Sequence, residues 1–130
     1  MLIITIRTDK SEAEIGLYNG TIQLKYETWL AHRQLAETIH SKIAELLKSQ
    51  QKDLHDIAGI VVFKGPGSFT GLRIGITVAN ALAYSLGASI IAQENPQWLE
   101  VGINRLLAGE TDTVALPEYG ALPNIGVQKK

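Results

Sequence analysis

A glycine-rich turn between an apolar strand and an apolar helix places the tightest constraint on how this chain can fold. Residues 57–63 read Ile-Ala-Gly-Ile-Val-Val-Phe, a continuous apolar run typical of a strand that is buried on both faces of a sheet. Gly65, Gly67 and Gly71 follow within seven residues and open a predicted helix over about residues 69–86. Glycines so close together predict that another group approaches the backbone closely here.

The residue types of this turn leave two interpretations open. The amide groups at the start of a helix favour an anion, so a phosphate group is one possible ligand. However, the turn lacks the Gly-Lys-Ser/Thr ending of a P-loop and the spacing of the G-x-G-x-x-G fingerprint. The other interpretation is a tight turn in which Ser68 or Thr70 caps the helix without any ligand.

The rest of the chain predicts strands and helices in the order β-β-β-α-β-α-β-α. Short alternating runs flank the hairpin signal Asn19-Gly20, and apolar residues at three- and four-residue spacings follow from His32. This order predicts an α/β fold with a mixed sheet and helices packed on it. Predicted strands cover residues 2–7, 13–18, 21–28, 57–63 and 88–92, and predicted helices cover residues 32–48, about 69–86 and a segment from Pro96. Residues 1–108 form the predicted lobe, and residues 109–130, which contain proline and glycine, form an extended tail on the lobe or on a partner.

The helix over residues 69–86 is predicted to be covered on two sides. Its polar residues Arg73, Thr77, Asn80 and Tyr84 fall within a sector of roughly 60° when successive residues are placed at about 100° steps. Apolar or small residues cover most of the remaining circle. A ridge of small residues, which we call the small-residue ridge, recurs every four positions and would let another helix come close. Its members are Gly71, Gly75, Ala79 and Ala83. The second cover is either another helix of this chain or a partner protein.

Composition and charge argue against several classes of function. The formal net charge is −1 with no long run of Lys or Arg, so the sequence predicts no direct binding of nucleic acid. With no cysteine, thiolate nucleophiles and cysteine-held metal sites are excluded. No apolar stretch approaches the roughly 20 residues that span a bilayer, and the segment after Met1 has no basic leader. We therefore expect a cytoplasmic protein without a membrane segment.

No catalytic or metal site is predicted from the remaining polar residues. His32 and His40 are eight residues apart, which is roughly 12 Å along a helix and too far for one ion, and His55 lies outside that helix. The hydroxyls of Ser68 and Thr70 have no histidine–acid pair placed by sequence to activate them. We expect no cofactor.

Eleven residues of the turn carry a family resemblance. The stretch Gly65-Pro66-Gly67-Ser68-Phe69-Thr70-Gly71-Leu72-Arg73-Ile74-Gly75 resembles the hallmark of the TsaB/YeaZ family, accessory proteins in making threonylcarbamoyladenosine of transfer RNA. The resemblance implies a lobe of the RNase H-like, actin-like ATPase fold. It also implies a non-catalytic scaffold that pairs with a TsaD-type catalytic subunit through its first two helices, with a TsaE-type ATPase as a further partner and self-pairing through the same helices as another possibility.

The resemblance implies a set of site residues on two helices and in the turn. The implied partner contacts are Leu35, Ala36, Ile39 and His40 on the first helix and Leu72, Gly75, Ile76, Ala79 and Ala83 on the second. The implied motif loop consists of Gly65, Pro66, Gly67, Ser68, Phe69, Thr70, Gly71 and Arg73.

Two features depart from the family pattern. Arg7 stands where the opening strand of the family usually carries an aspartate, which makes ATP hydrolysis improbable. The chain also looks like a short form that lacks most of a second lobe. The alternative function is a nucleotide-binding or ATP-hydrolysing enzyme that uses the Gly65–Gly71 loop.

Overall fold

A computed structural model describes residues 1–67 and 69–118 of the chain, apart from the side chains of His32 and Phe69. The elements follow the predicted order. The strands are β1 (Leu2–Arg7), β2 (Glu12–Asn19), β3 (Ile22–Leu30), β4 (Gly59–Gly65) and β5 (Ser89–Glu94), and the helices are α1 (Leu35–Ser49), α2 (Phe69–Leu86) and α3 (Trp98–Leu107). The first helix begins later than predicted because residues 32–34 form a separate 3₁₀ turn. Within the described ranges, no helix combines the length and apolar character needed to cross a lipid bilayer.

The five strands form one mixed sheet in the order β3-β2-β1-β4-β5. Strands β1, β2 and β3 are antiparallel neighbours, and β4 lies parallel to both β1 and β5. The hairpin between β2 and β3 turns at Gly20, whose φ of 60° lies in the left-handed region that glycine adopts easily. The mixed sheet predicted from the sequence is therefore confirmed.

Side chains that alternate along the strands divide the core between the two faces of the sheet. On one face, Ile4 and Ile6 of β1 pack in a cluster with buried residues of α1 and α2. On the other face, Ile3 packs in a cluster with residues of α3 such as Trp98. Two helices thus cover one face of the sheet and one helix covers the other.

The small-residue ridge of α2 faces the sheet and not a partner, so the predicted direction of this ridge is wrong. Ala79 is 0% exposed and Ala83 is 6% exposed. Gly75 lies so close to Thr8 that a Cβ atom at this position would clash with the threonine side chain. At Gly75 the side chain is absent because α2 passes the end of β1 at close range, and Ala79 and Ala83 lie in the core cluster on this face of the sheet. The sheet itself covers the ridge, so this side of α2 needs no cover from a partner protein.

The start of the predicted tail lies along the edge strand β5. The main-chain amides of Ile90 and Ala92 donate to side-chain oxygens of Thr111 and Asp112, at 3.0 and 2.8 Å. The side chain of Asn80 exchanges two hydrogen bonds with the backbone of Ala115, at 3.0 and 2.8 Å. Residues 109–118 thus pack on the lobe, whereas residues 119–130 lie outside the described residues. The domain boundary at residue 108 stays a prediction.

Two buried threonines near the end of β1 give a matched test of this packing. The Thr8 hydroxyl donates to the Gly71 carbonyl at 2.7 Å, whereas the Thr5 hydroxyl is buried without a hydrogen-bond partner in the described part of the chain. Replacing a buried unpaired hydroxyl by a methyl group removes a desolvation cost, whereas replacing a paired one loses a bond. We expect Thr5→Val to raise the free energy of unfolding by about 1 kcal/mol and Thr8→Val to lower it by about 1 kcal/mol.

Urea denaturation followed by circular dichroism measures both changes. Equal destabilisation by the two substitutions would contradict the assignment of Thr5 as unpaired.

Candidate functional site

The surface between α1 and α2 is the candidate functional site. An open groove of about 330 Å³ runs between the two helices. We call it the α1–α2 groove, and it is lined by Ala36, His40, Thr70, Arg73, Ile74, Thr77 and Val78. Most of these side chains are exposed or half-buried. The groove is therefore accessible to another molecule.

Helix α1 presents small and polar side chains to the groove because its large side chains point at the sheet. Leu35, Ile39 and Ile43 are at most 4% exposed, at spacings of four residues along one face. Trp29 at the end of β3 fixes one flank of the helix, since its indole N–H donates to the Thr38 hydroxyl at 3.0 Å. The opposite flank, with Ala36 and His40, is left to form the groove.

Helix α2 carries its polar sector on the outside, as the sequence predicts. Arg73, Thr77 and Tyr84 are exposed, and the tyrosine is 92% exposed. Ala81 is exposed beside them. The outer surface of α2 thus combines short side chains with one large aromatic ring.

Only two of the nine predicted partner contacts lie on the surface. Ala36 and His40 are exposed and line the groove. The other seven lie in the core of this chain: Leu35, Ile39, Leu72, Gly75, Ile76, Ala79 and Ala83. A side chain in the core cannot touch a partner, so these seven residues determine how α1 and α2 pack and not what they bind directly.

The implied partner contacts leave out Ala44, Ala81 and Tyr84, which are exposed on α1 and α2. The polar sector of α2 was the available signal, because Tyr84 belongs to it and Ala81 lies next to it on the helix. The small-residue ridge indicated the buried side of α2 instead, since a helix that packs closely on its own sheet also needs small residues. No comparable signal marked Ala44 on α1.

The glycines of the motif loop approach other parts of this chain. Gly65 has a φ of +119°, and a Cβ atom at this position would clash with the backbone carbonyl oxygen of Glu118. A Cβ atom at Gly67 would lie 2.5 Å from the Cβ of Asp9, and the carbonyl of Gly71 accepts from Thr8. The close approaches at Gly65 and Gly67 explain these two glycines without a phosphate ligand.

The remaining loop residues are described only in part. Pro66 is exposed, and Thr70 and Arg73 line the α1–α2 groove. Ser68 lies outside the described residues, as does the side chain of Phe69, so the predicted cap by Ser68 stays a prediction.

Arg7 and Asp9 form an ion pair at the end of β1, next to the motif loop. The Arg7 Nε lies 2.8 Å from Asp9 Oδ1, and a second guanidinium nitrogen lies 3.2 Å from Oδ2. The side chains are 13% and 8% exposed, and the guanidinium carbon lies 3.9 Å from the centre of the Phe63 ring. Burial by itself lowers the pKa of Arg7, but the hydrogen bond to Asp9 and nearby negative charges outweigh it and raise the pKa.

A second polar contact lies beside this pair on the same face of the sheet. The Tyr26 hydroxyl donates to Glu14 at 2.6 Å, and Glu14 is the strand partner of Arg7. Burial raises the pKa of Tyr26, and the bond to Glu14 raises it further, so the phenol keeps its proton. The polar groups at this end of the sheet are therefore engaged with one another.

The histidines do not gather into a metal site within residues 1–67 and 69–118. No group of three histidine or carboxylate side chains with metal-binding geometry occurs there. His40 lines the α1–α2 groove, and His55 lies exposed beside Asp53.

Comparison of the sequence with known proteins identifies relatives in one pathway. The model of the family described as "TsaD: tRNA N6-adenosine threonylcarbamoyltransferase" matches residues 29–99. The "tRNA threonylcarbamoyladenosine biosynthesis protein TsaB" of Escherichia coli strain K12 is 32% identical over 115 residues, which cover 83% of this chain and 49% of that protein. The protein of the same name from Bacillus subtilis strain 168 is 37% identical over 93 residues, which cover 71% of this chain and 40% of that protein. The chain thus spans about half the length of these relatives or less.

Solved structures share the fold of this chain. YeaZ from Pseudomonas aeruginosa superposes with a TM-score of 0.67 at 24% identity, over 72% of this chain and 44% of that one. RuvC from Thermus thermophilus superposes with a TM-score of 0.50 at 11% identity, over 92% of this chain and 86% of that one. These similarities confirm the predicted RNase H-like, actin-like ATPase fold class. Because the family model matches more than half of the chain, this chain belongs to the family that the model describes, and the similarity to TsaB and YeaZ proteins confirms the predicted TsaB/YeaZ resemblance.

Proposed function

We propose that this chain is a non-catalytic binding subunit that docks the exposed face of α1 and α2 onto helices of a TsaD-type protein. In this role it supports threonylcarbamoylation of adenosine in transfer RNA. The observation that carries the proposal is the open α1–α2 groove on the helices that the resemblance assigns to partner binding. The names of the TsaB relatives supply the pathway.

The side chains around the groove suit close docking of another helix. Ala36, Ala44 and Ala81 are exposed and short, so the backbone of a partner helix can come near without displacing large groups. Tyr84 is 92% exposed further along α2, but it lines a separate cavity with Val114 and does not belong to the groove. A stable interface of this kind buries about 1,200–2,000 Å² in total.

The non-catalytic part of the proposal rests on the Arg7–Asp9 pair. A metal–nucleotide complex needs carboxylates that are free to face the cation. Asp9 instead accepts two hydrogen bonds from Arg7, and its Cβ lies against Gly67.

Ala81 on the outer side of α2 provides a test of the proposed docking face. We expect Ala81→Arg to weaken binding to the TsaD-type protein of the same organism by at least about tenfold, because a long cation would separate the helices. The unfolding midpoint should change little, since Ala81 is exposed. Calorimetric titration and thermal denaturation measure the two quantities.

Ala108→Arg serves as the matched control, because Ala108 is exposed at the end of α3 and does not line the groove. We expect this variant to bind as the natural chain does. Equal binding by Ala81→Arg and the natural chain would contradict the assignment of this face.

Ala79→Leu tests the inward direction of the small-residue ridge. Because Ala79 is 0% exposed, added methyl groups should overpack the core and lower the free energy of unfolding by about 1–3 kcal/mol. Chemical denaturation measures the loss. A variant of unchanged stability that fails to bind the partner would show that the ridge faces the partner after all.

The competing function is a nucleotide-binding enzyme, which the glycine loop at the start of α2 favours. Titration of the pure chain with ATP and Mg²⁺ separates the two proposals, and we expect neither saturable binding nor turnover. Saturable binding with turnover, together with no complex with the TsaD-type protein, would overturn the binding-subunit proposal.

The proposal includes two further partners, a second copy of this chain and a TsaE-type ATPase. The α1–α2 face is also available to a second copy of this chain, and sedimentation with and without the TsaD-type protein would reveal whether the partner displaces a homodimer. A TsaE-type ATPase is expected from the resemblance alone.

A further inference from the structure

A second cavity continues the α1–α2 groove at the end where both helices begin. It holds about 500 Å³ and shares Thr70 and Ile74 with the groove. Its wall includes Lys10 from the β1–β2 turn and Arg33 from the segment before α1. The two cavities are therefore neighbours along the pair of helices, and we refer to them together as the depression.

This end of the depression is rich in positive charge. Lys10 and Arg33 are exposed there, and Arg73 and His40 lie in the adjoining groove, which shares Thr70 with this cavity. Among the described residues that line the two cavities, none is an Asp or Glu. We call Lys10, Arg33 and Arg73 the cationic end. It stands out in a chain whose formal net charge is −1.

Charges of one sign on a concave surface attract the opposite sign strongly. Field lines from the three cations converge in the depression, which raises the local concentration of anions and speeds encounter with an acidic surface. The carboxylates close in sequence are Asp9, which is already bonded to Arg7, and the exposed Glu12 and Glu37, which line neither cavity. The summed charge of the cationic end, and not the state of any one side chain, carries this argument.

We propose that the partner segment docked on α1 and α2 is an acidic helix whose carboxylates meet the cationic end. The inference rests on the proposed function and adds the chemistry and the direction of the docked element. Acidic side chains lie against Lys10, Arg33 and Arg73, and small or apolar side chains of the same helix lie against Ile74, Thr77 and Val78 of the groove. One end of the face selects by charge, and the other selects by shape.

A protein segment fits this surface better than RNA does. Binding of RNA uses cations spaced along many phosphates, whereas here the three cations lie at one end of the depression. The rest of the depression is lined by Ile74, Val78 and short side chains. A helix with acidic residues at one end matches both halves.

The test removes charge at the cationic end and, separately, elsewhere. The double variant Arg33→Gln/Arg73→Gln is compared with the matched control Lys25→Gln/Lys52→Gln, whose residues line neither cavity. Binding of each full chain to the TsaD-type protein is measured between about 0.05 and about 0.5 M NaCl, where screening changes strongly. Circular dichroism verifies folding.

We expect the Arg33/Arg73 variant to bind about tenfold more weakly at low salt and to show a flatter salt dependence, whereas the control follows the natural chain. If both variants bind as the natural chain does at every salt concentration, the acidic-helix proposal is overturned and the proposed function stands. If the natural chain forms no complex at any salt concentration, the proposed function itself fails. Salt-sensitive binding of total transfer RNA that the Arg33/Arg73 variant loses would assign the cationic end to RNA and overturn the proposal.

Discussion

The close crossing of α2 over the end of β1 is the contact on which the rest of the structure depends. Gly75 lies against Thr8, and the Thr8 hydroxyl donates to the carbonyl of Gly71. This contact fixes the height of α2 above the sheet, and α1 packs beside α2 on the same face. The groove, its polar lining and its cationic end therefore all depend on a few atoms at the end of one strand.

The fold was predictable from the sequence because each local signal agreed with its neighbours. The strand β1 and the helix α2 have the predicted bounds, and the apolar run before the motif loop is a buried strand. The inner and outer sides of α2 were not predicted, because glycine and alanine suit close packing on a sheet as well as on another helix. Residues such as Ala79 carry no polarity that tells these cases apart. Only the position of Thr8 in space decides between them.

The candidate site, like the fold, was predictable from the sequence only in part. Helical spacing indicated that Arg73 and Tyr84 share a face, and both are exposed. That Lys10 and Arg33 lie near Arg73 is a result of tertiary structure, since residues from a turn, a helix start and a second helix come together there. The departure at Arg7 was visible in the sequence, but its partner was not, because the bond to Asp9 requires the chain to bend after β1.

The segment after α3 has a consequence for how copies of this protein behave toward each other. An outer strand normally offers unpaired amides and carbonyls to any other strand that it meets. In β5 the amides of Ile90 and Ala92 are held by side-chain oxygens, and the carbonyl of Ile90 accepts from the backbone of Asp112 at 2.7 Å. A side-chain acceptor cannot continue the main-chain hydrogen bonding of a sheet, so edge-to-edge pairing with another sheet is blocked at this border. Copies of this chain are therefore hindered from joining their sheets at β5, while β3 is the outer strand at the opposite border of the sheet.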